Sequence, residues 1–94
     1  MIKYFVYVLY SLKDRKLYIG QTDRDPEVRL AEHNKGDTPS TKGRRPLDLV
    51  YYEMYRDKQD ALSREKFLKS GSGHRYLKKQ LRRGVEQLGS SLGS

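Results

Sequence analysis

Two short segments near the start of the chain constrain its fold more than any other feature. The first runs from Tyr4 to Tyr10 and the second from Leu17 to Gly20, and both are rich in aromatic and β-branched residues. Residues 11–15 between them form a short polar turn, so the pattern predicts a β-hairpin. The first segment is apolar almost without a break, as expected for a strand that is covered on both faces.

The register of this hairpin decides whether Tyr7 and Tyr18 point to the same face of the sheet. A turn with an even number of residues, for example Asp14-Arg15, pairs Ser11 with Tyr18 and places Tyr7 and Tyr18 on one face. A turn with an odd number of residues places the two tyrosines on opposite faces. The sequence leaves both arrangements open.

Helix and turn signals divide the rest of the chain. Asp25 and Pro26 are a typical N-cap and first helical residue, and Gly36 suits the left-handed position after a helix. Asp57, followed by Asp60, predicts the start of another helix. The predicted elements are a helix ending near residue 35, a polar loop without regular structure over 37–46, a strand over Leu47–Tyr55, a helix over 57–69, a flexible break over 71–73 and a basic helix over 74–83.

Residues 1–83 are therefore expected to form a single domain. From residue 84 the chain becomes rich in glycine and serine, which predicts a flexible tail over 84–94. Alternation along the third strand predicts two faces, one with Val50, Tyr52 and Met54 and the other with Leu49, Tyr51 and Glu53. Most of the eight tyrosines are interpreted as core residues with the hydroxyl at the rim, rather than as base-stacking surfaces.

The charge of the chain points to a polyanionic partner. It has 20 Lys and Arg against 12 Asp and Glu, and residues 56–83 hold ten of the basic and three of the acidic residues. Nucleic acid is the commonest such partner, and a merely soluble basic surface is the alternative. Without cysteine there is no disulfide and no thiolate metal site. No segment predicts a secretion signal or a membrane span, so the expected location is the cytoplasm.

Several polar residues are candidates for a site. Arg29 and His33 lie four apart on the first helix, at the edge of its apolar face or, alternatively, as two solvated side chains. Lys42, Arg44 and Arg45 offer phosphate donors in the polar loop, or are simply solvated. The remaining basic candidates for a phosphate-facing surface are Lys69, Arg75, Lys78 and Lys79.

Glu65 stands out on the helix after the third strand. It lies between Ala61 and Leu68 in the middle of the apolar stripe, where a carboxylate is costly unless it is paired or bound to a metal. The alternative is a rotated helix in which Glu65 pairs with a neighbouring Lys or Arg at the rim.

The two tyrosine segments together resemble the signature of the GIY-YIG nuclease family. Tyr18-Ile19-Gly20 matches its second half, and Phe5-Val6-Tyr7 matches its first half with Phe in place of the glycine. The resemblance covers roughly residues 3–80 and is closest to the small stand-alone bacterial members. It implies an α+β fold, a three-stranded antiparallel sheet packed with about three helices in the order β-β-α-β-α-α. The implied catalytic residues are Tyr7, Tyr18, Arg29, His33 and Glu65.

The resemblance also implies the chemistry, which is phosphodiester hydrolysis. Tyr7 would accept a proton, Arg29 would bind the phosphate, and Glu65 would hold one Mg²⁺ or Mn²⁺ ion. Because an ordinary tyrosine has a pKa near 10, the site would have to favour the phenolate through nearby positive charge. Tyr18 and His33 would orient water and Tyr7 or relay the proton.

The expected partner is nucleic acid, DNA more than RNA, approaching closely at the backbone of Gly20. A separate protein that supplies specificity is a further expected partner, because no second recognition domain is attached. Gln21 stands where repair-type relatives often have lysine, which leaves substrate choice open. The alternatives are a catalytically silent nucleic-acid-binding module of the same fold and a small adaptor that docks on an acidic partner.

Overall fold

The computed structural model describes residues 2–81, which form one sheet and four helices. The elements are β1 (Tyr4–Ser11), β2 (Leu17–Thr22), α1 (Pro26–Lys35), α2 (Pro39–Lys42), β3 (Leu47–Tyr55), α3 (Lys58–Lys69) and α4 (Gly71–Gln80). The strands are antiparallel in the order β2-β1-β3. The predicted α+β fold is confirmed, with the short α2 as an addition. The predicted domain end at residue 83 and the tail over 84–94 lie outside the described residues.

The hairpin has the even loop that places Tyr7 and Tyr18 on one face. Leu9 pairs with Tyr18, and Tyr7 pairs with Gly20. The register is therefore shifted by two residues from the two-residue turn considered above, in which Ser11 would pair with Tyr18. Four residues rather than two form the loop, because the Ser11 N–H donates to the carbonyl of Lys16 across it. Arg15 adopts a left-handed conformation with φ of 60° to close this loop.

Local capping signals set the ends of the longer helices as predicted. The Asp25 carboxylate accepts from the Glu27 N–H, and Gly36 ends α1 in the left-handed conformation. The Asp57 carboxylate caps α3 by accepting from the N–H groups of residues 59 and 60. Among residues 2–81 no helix has both the length and the apolar character that crossing a membrane requires.

Two predictions of irregular structure are wrong. Residues 37–46 include α2, because Pro39 occupies the first helical turn, where its missing N–H breaks no hydrogen bond. Residues 71–73 are the first turn of α4 rather than a flexible break, because the Ser70 hydroxyl accepts from the Gly73 N–H. Gly73 also packs so closely on the end of α3 that a Cβ there would lie 1.9 Å from the Phe67 carbonyl oxygen.

The predicted faces of β3 are wrong at Leu49 and Val50, because a β-bulge interrupts the strand there. The pairing moves from Val8–Tyr51 to Leu9–Leu49, which leaves Val50 without a partner on β1. As a result Leu49 packs with Leu9 on one face of the sheet, and Tyr51 packs on the other.

The sheet separates two hydrophobic clusters. On one face Val6, Val8 and Ile19 pack against the buried Ala61 and Leu68 of α3 and against α4. On the other face Tyr7, Leu9 and Leu47 are buried, with Leu30 of α1 packed against them. Since alternate residues of β1 serve the two clusters, Tyr7 faces α1.

Candidate active site

His33 of α1 lies in the core and connects two parts of the chain. It is fully buried, and its Nε2 atom lies 3.0 Å from the Tyr7 hydroxyl oxygen on β1. Its Nδ1 atom lies 2.7 Å from the Thr41 hydroxyl oxygen on α2. The alternative of a solvated His33 is therefore wrong, and both ring nitrogens have a polar partner.

The surrounding donors define which nitrogen of His33 carries the proton. Arg29 has only donors, and its Nη2 atom lies 3.5 Å from Nε2 of His33, so Nε2 acts as the acceptor. The Thr41 hydroxyl lies 3.4 Å from the Thr38 carbonyl and can donate to it, which leaves its oxygen to accept from Nδ1–H. The neutral ring thus accepts the Tyr7 O–H at Nε2 and donates from Nδ1.

Burial and the Arg29 charge keep His33 in this neutral form. Burial lowers the pKa of His33 from its ordinary value of 6.5, and the positive charge of Arg29 lowers this pKa further. A neutral imidazole with an open lone pair toward a phenol is a proton acceptor. The geometry therefore favours a proton relay from Tyr7 to His33.

Tyr7 is held against the backbone of β2. Its side chain is 1% exposed, and a Cβ on Gly20 would lie 2.4 Å from its hydroxyl oxygen. Glycine at this position is thus required by the Tyr7 ring itself. That nucleic acid contacts the Gly20 backbone stays a prediction.

The pKa of Tyr7 is shifted upward, whereas a tyrosine that acts as a base was expected to have its phenolate form favoured. Burial raises the pKa of Tyr7 above 10.0, while the hydrogen bonding and charge of Arg29 act in the opposite direction without cancelling the effect of burial. Tyr7 is consequently a neutral phenol at neutral pH. Without a metal ion the protein does not favour the phenolate, and Nε2 of His33 lies within hydrogen-bond distance of the Tyr7 hydroxyl as a proton acceptor.

Tyr18 completes an aromatic group around His33. Its ring centre lies 5.1 Å from the His33 ring and 6.4 Å from the Tyr7 ring. Tyr7 and Tyr18 come from neighbouring strands and Arg29 and His33 from one helix. The structure thus brings together four of the five predicted catalytic residues.

Two arginines share one carboxylate at the edge of this group. The Arg29 Nη1 atom lies 2.5 Å from Oε1 of Glu32, and Arg24 binds both Glu32 oxygens at 2.7 and 2.8 Å. Hydrogen bonds from Arg24 and then from Arg29 lower the pKa of the Glu32 carboxyl. Arg24, Glu32 and Thr41 were not identified from the sequence. The three-residue spacing of Arg29 and Glu32 on a helix could have predicted their ion pair, because residues three apart are neighbours on a helix surface.

Glu65 lies on α3, on the other side of the sheet from α1. Its carboxylate is 19% exposed and forms an ion pair of 3.1 Å with Lys69, so the pairing foreseen in the alternative is observed. The charge of Glu65 nevertheless reaches Tyr7, where it is the weakest of the influences that raise the pKa of the phenol.

The chemistry of Glu65 fits a hard divalent cation. Within the described residues no three His, Cys, Asp or Glu side chains lie together as a metal cage. A single, partly exposed carboxylate leaves room for water and phosphate oxygens, which is how Mg²⁺ is commonly bound. Any such ion would therefore take most of its ligands from solvent and substrate.

The predicted basic residues divide into structural and exposed ones. Arg44 binds the Asp14 carboxylate at 2.9 Å and the Leu17 carbonyl at 3.2 Å, which fastens its loop to the hairpin. Arg45 donates to the Lys42 carbonyl at 2.8 Å. Lys42 and Arg45 line a cavity of about 410 Å³ together with Lys13. The exposed residues are Lys42, Lys69, Arg75, Lys78 and Lys79.

Comparison with known proteins gives a consistent result. A family model described as the GIY-YIG catalytic domain matches residues 3–82. The UPF0213 protein SH2523 of Staphylococcus haemolyticus is 43% identical over 79 residues, which are 83% of this chain and 94% of that protein. The UPF0213 protein SSP2268 of Staphylococcus saprophyticus is 42% identical over the same shares. The solution NMR structure of the UPF0213 protein BH0048 from Bacillus halodurans is 33% identical, with a TM-score of 0.41, and covers 95% of this chain and 84% of that one.

Proposed function

This chain belongs to the GIY-YIG family, and from that premise we propose that it is an endonuclease that hydrolyses phosphodiester bonds with the help of one divalent metal ion. The domain family is generally one of endonucleases. The observation that carries the proposal is the buried chain of hydrogen bonds from Tyr7 through His33 to Thr41. A pure binding protein has no need for a phenol that donates to a neutral, buried imidazole.

Tyr7 and His33 would act together as the general base. As a water molecule attacks the phosphorus atom, its proton passes to the Tyr7 oxygen while the Tyr7 proton passes to Nε2 of His33. The Thr41 oxygen stabilises the resulting imidazolium by accepting from Nδ1–H. This route explains how a phenol with a raised pKa can serve as a base near neutral pH.

Arg29 would bind the phosphate that is cut. It lies next to both Tyr7 and His33, and its planar guanidinium can donate to two non-bridging oxygens. Because Glu32 holds one edge of the guanidinium, the orientation is set before the substrate arrives. Tyr18 would limit the movement of the His33 ring through their edge-to-face contact.

Glu65 would hold the metal ion, Mg²⁺ or Mn²⁺. Such an ion, when bound, supplies positive charge to the phosphate and to the leaving oxygen. Because Lys69 binds the Glu65 carboxylate in the protein alone, metal binding would require Lys69 to move aside. The exposure of Lys69, 55% of its side chain, makes that movement easy.

The partner proposed for this site is nucleic acid, with DNA favoured over RNA. The net charge of +8 supports a polyanion. We also propose a cytoplasmic location, a role in DNA repair or recombination, and a separate protein that contributes specificity. The basic residues of α4 offer the phosphate contacts that would hold the substrate.

A catalytically silent nucleic-acid-binding module is the second candidate. The ion pair between Glu65 and Lys69 favours it, because a neutralised carboxylate is a poorer metal ligand. This module would bind DNA in a salt-dependent manner and would not cut it in the presence of any divalent metal.

Cleavage of labelled DNA and RNA distinguishes the two candidates. Duplex, nicked, branched and single-stranded substrates are incubated with Mg²⁺, Mn²⁺ or EDTA, and wild type is compared with Glu65→Ala. Asp60→Asn, an exposed carboxylate on the same helix, is the matched control. The endonuclease predicts metal-dependent cutting that Glu65→Ala loses and Asp60→Asn keeps. Binding without cutting by wild type and Glu65→Ala alike would favour the silent module.

A further inference from the structure

We propose that Arg24 is a second phosphate-binding residue, held beside Arg29 by Glu32, and that it binds a neighbouring phosphate of the strand that is cut. Glu32 is then a positioning residue for both arginines. This inference rests on the proposed function, because it assigns a second subsite to the same nucleic-acid substrate.

The contacts of Glu32 fix the two guanidinium groups side by side. Arg24 and Arg29 both donate to Oε1 of Glu32, and Arg24 also donates to Oε2. The Glu32 side chain is 24% exposed, so these charge-assisted hydrogen bonds are partly shielded from water. One carboxylate on α1 thus ties an arginine of the β2–α1 connection to the arginine next to Tyr7 and His33.

Arg24 keeps most of its hydrogen-bonding capacity for a ligand. A guanidinium has five N–H donors, and the two bonds to Glu32 use one on each terminal nitrogen. The Arg24 side chain is 52% exposed, so its other donors are accessible. Glu32 therefore orients Arg24 without saturating it.

A cavity of about 300 Å³ lies next to this pair of arginines. Three cationic side chains line it, Arg24, Arg29 and Lys58, against the single carboxylate of Asp23. Its remaining lining residues are Tyr4, Gln21 and Thr22. The excess of cations and the largely polar lining suit a phosphate group and not an apolar ligand.

The position of the cavity explains why it suits the substrate of this site. Arg29 belongs both to the cavity and to the hydrogen-bonded group around His33. A strand whose phosphate lies on Arg29 therefore continues directly into the cavity, where Arg24 and Lys58 are the next cations. Two adjacent phosphates held in this way would fix the direction of the strand across Tyr7.

Binding of a fluorescein-labelled DNA duplex in EDTA tests the inference without any cleavage. Wild type, Arg24→Gln and Arg15→Gln are titrated over a range of salt concentrations. Arg15 is an exposed arginine at the other end of β2, in the hairpin loop, and controls for the loss of one charge. We expect Arg24→Gln to raise Kd about tenfold, a loss typical of a hydrogen bond to a charged group. The magnitude of the slope of the logarithm of the association constant against the logarithm of the salt concentration should fall by about 0.9, which is the contribution of one phosphate contact.

A double-mutant cycle tests the role of Glu32. If Glu32 positions Arg24, the change from Arg24 to Gln should weaken binding less in a Glu32→Gln background than in wild type. Glu32→Gln itself removes a negative charge, and this gain in affinity for the duplex should offset part of the loss from the displaced arginines. Its kcat should nevertheless fall about tenfold or more, because Arg29 is no longer held against the reacting phosphate.

Each outcome bears on one proposal. If Arg24→Gln and Arg15→Gln change Kd and the salt slope equally, or if the duplex does not bind at all, the second phosphate site is wrong. If Arg24→Gln has the expected effect but wild type cuts no substrate, the subsite stands and the endonuclease fails. Additive effects of Arg24→Gln and Glu32→Gln would overturn the positioning role of Glu32.

Discussion

The Tyr7 hydroxyl and the His33 imidazole, 26 residues apart in the chain, are joined by a hydrogen bond of 3.0 Å inside the core. Both side chains are almost fully buried, so the same contact belongs to the hydrophobic core and to the candidate site. Changes at either residue will therefore affect stability as well as activity. The tests of Tyr7, Thr41 and Gly20 therefore pair an activity measurement with a control variant.

Tyr7→Phe should abolish cleavage while leaving the fold intact. Loss of a general base typically lowers kcat by about 10²–10⁴-fold. The buried Nε2 of His33 loses its strongest partner, which should cost about 1–3 kcal/mol of stability. The measurement is kcat on the best-cut substrate, together with urea unfolding. Tyr51→Phe, which removes a hydroxyl bonded to Glu53 on the other face of the sheet, should keep full activity. Equal activity of Tyr7→Phe and wild type would exclude Tyr7 as the base.

Thr41→Val should impair the relay without touching the reacting groups. Valine has a similar shape but leaves Nδ1 of His33 without its acceptor, so the imidazole no longer keeps its proton on Nδ1. We expect kcat to fall by about tenfold or more, with KM nearly unchanged. The decrease should not exceed the roughly 10²–10⁴-fold decrease that follows complete loss of a general base. Thr41→Ser retains the hydroxyl and should recover most of the rate. A serine variant as slow as the valine variant would show that Thr41 acts through packing alone.

Local signals explain why most of the fold was predictable. Asp25 and Asp57 cap helices through contacts with residues two or three positions away, and Gly36 ends a helix through its own conformation. Such contacts depend on the adjacent sequence alone. The shared face of Tyr7 and Tyr18 was left open because it depends on the left-handed conformation of a non-glycine residue, Arg15.

The parts that could not be predicted depend on long-range geometry. No glycine or proline marks the bulge at Val50, so simple alternation assigned Leu49 and Tyr51 to the same face. Thr41 was overlooked because residues 37–46 were predicted to lack regular structure, whereas Pro39 begins the short helix that carries Thr41 to His33. At the candidate site, the family resemblance identified Tyr7 as a catalytic residue. Its raised pKa could not be predicted, because it results from burial of the side chain in the folded protein.

Gly20→Ala should displace Tyr7 and lower both stability and activity. The added methyl group would lie 2.4 Å from the Tyr7 hydroxyl oxygen, so the buried ring must shift away from His33. Overpacking of this kind costs about 1–3 kcal/mol. Gly43→Ala is the control, because its methyl group meets no atom within 4 Å. Thermal unfolding and cleavage are measured for both. A Gly20→Ala protein as stable and active as the control would contradict the tight packing of Tyr7 on β2.

Arg64→Met should destabilise the face of the sheet opposite Tyr7 and His33. Arg64 binds both oxygens of Glu53 at 3.0 Å, and Tyr51 and Tyr55 donate to the same carboxylate at 2.6 Å. Removal of the guanidinium should cost about 1–3 kcal/mol, because these hydrogen bonds are charge-assisted and half-buried. The exposed Arg56→Met is the control, and urea unfolding is the measurement. Equal stability of the two variants would show that the hydrogen bonds of Arg64 to Glu53 do not stabilise the fold.

The same network predicts a loss of stability in acid. Hydrogen bonds from Arg64, Tyr51 and Tyr55 outweigh burial and lower the pKa of Glu53 below its ordinary value of 4.5. In the folded state Glu53 therefore stays ionised where the unfolded chain has already taken up a proton. The stabilisation is complete above the unfolded pKa and is lost as the pH falls toward the folded one. Glu53→Gln should be less stable than wild type at neutral pH, and this difference should shrink below about pH 4. A constant difference across this range would contradict the lowered pKa.

His33 should show its lowered pKa directly in an NMR titration. Burial and then the Arg29 charge favour the neutral ring, so the His33 signals should titrate below 6.5, and Arg29→Gln should move this pKa upward. The unfolded chain binds a proton near pH 6.5, before the folded state does, so stability should fall as the pH drops through about 6.5 toward the folded pKa. His74→Gln assigns the signals, since the chain has two histidines. A His33 pKa at or above 6.5 would contradict the lowered pKa, and a value well above 7 would leave the relay from Tyr7 without an acceptor at neutral pH.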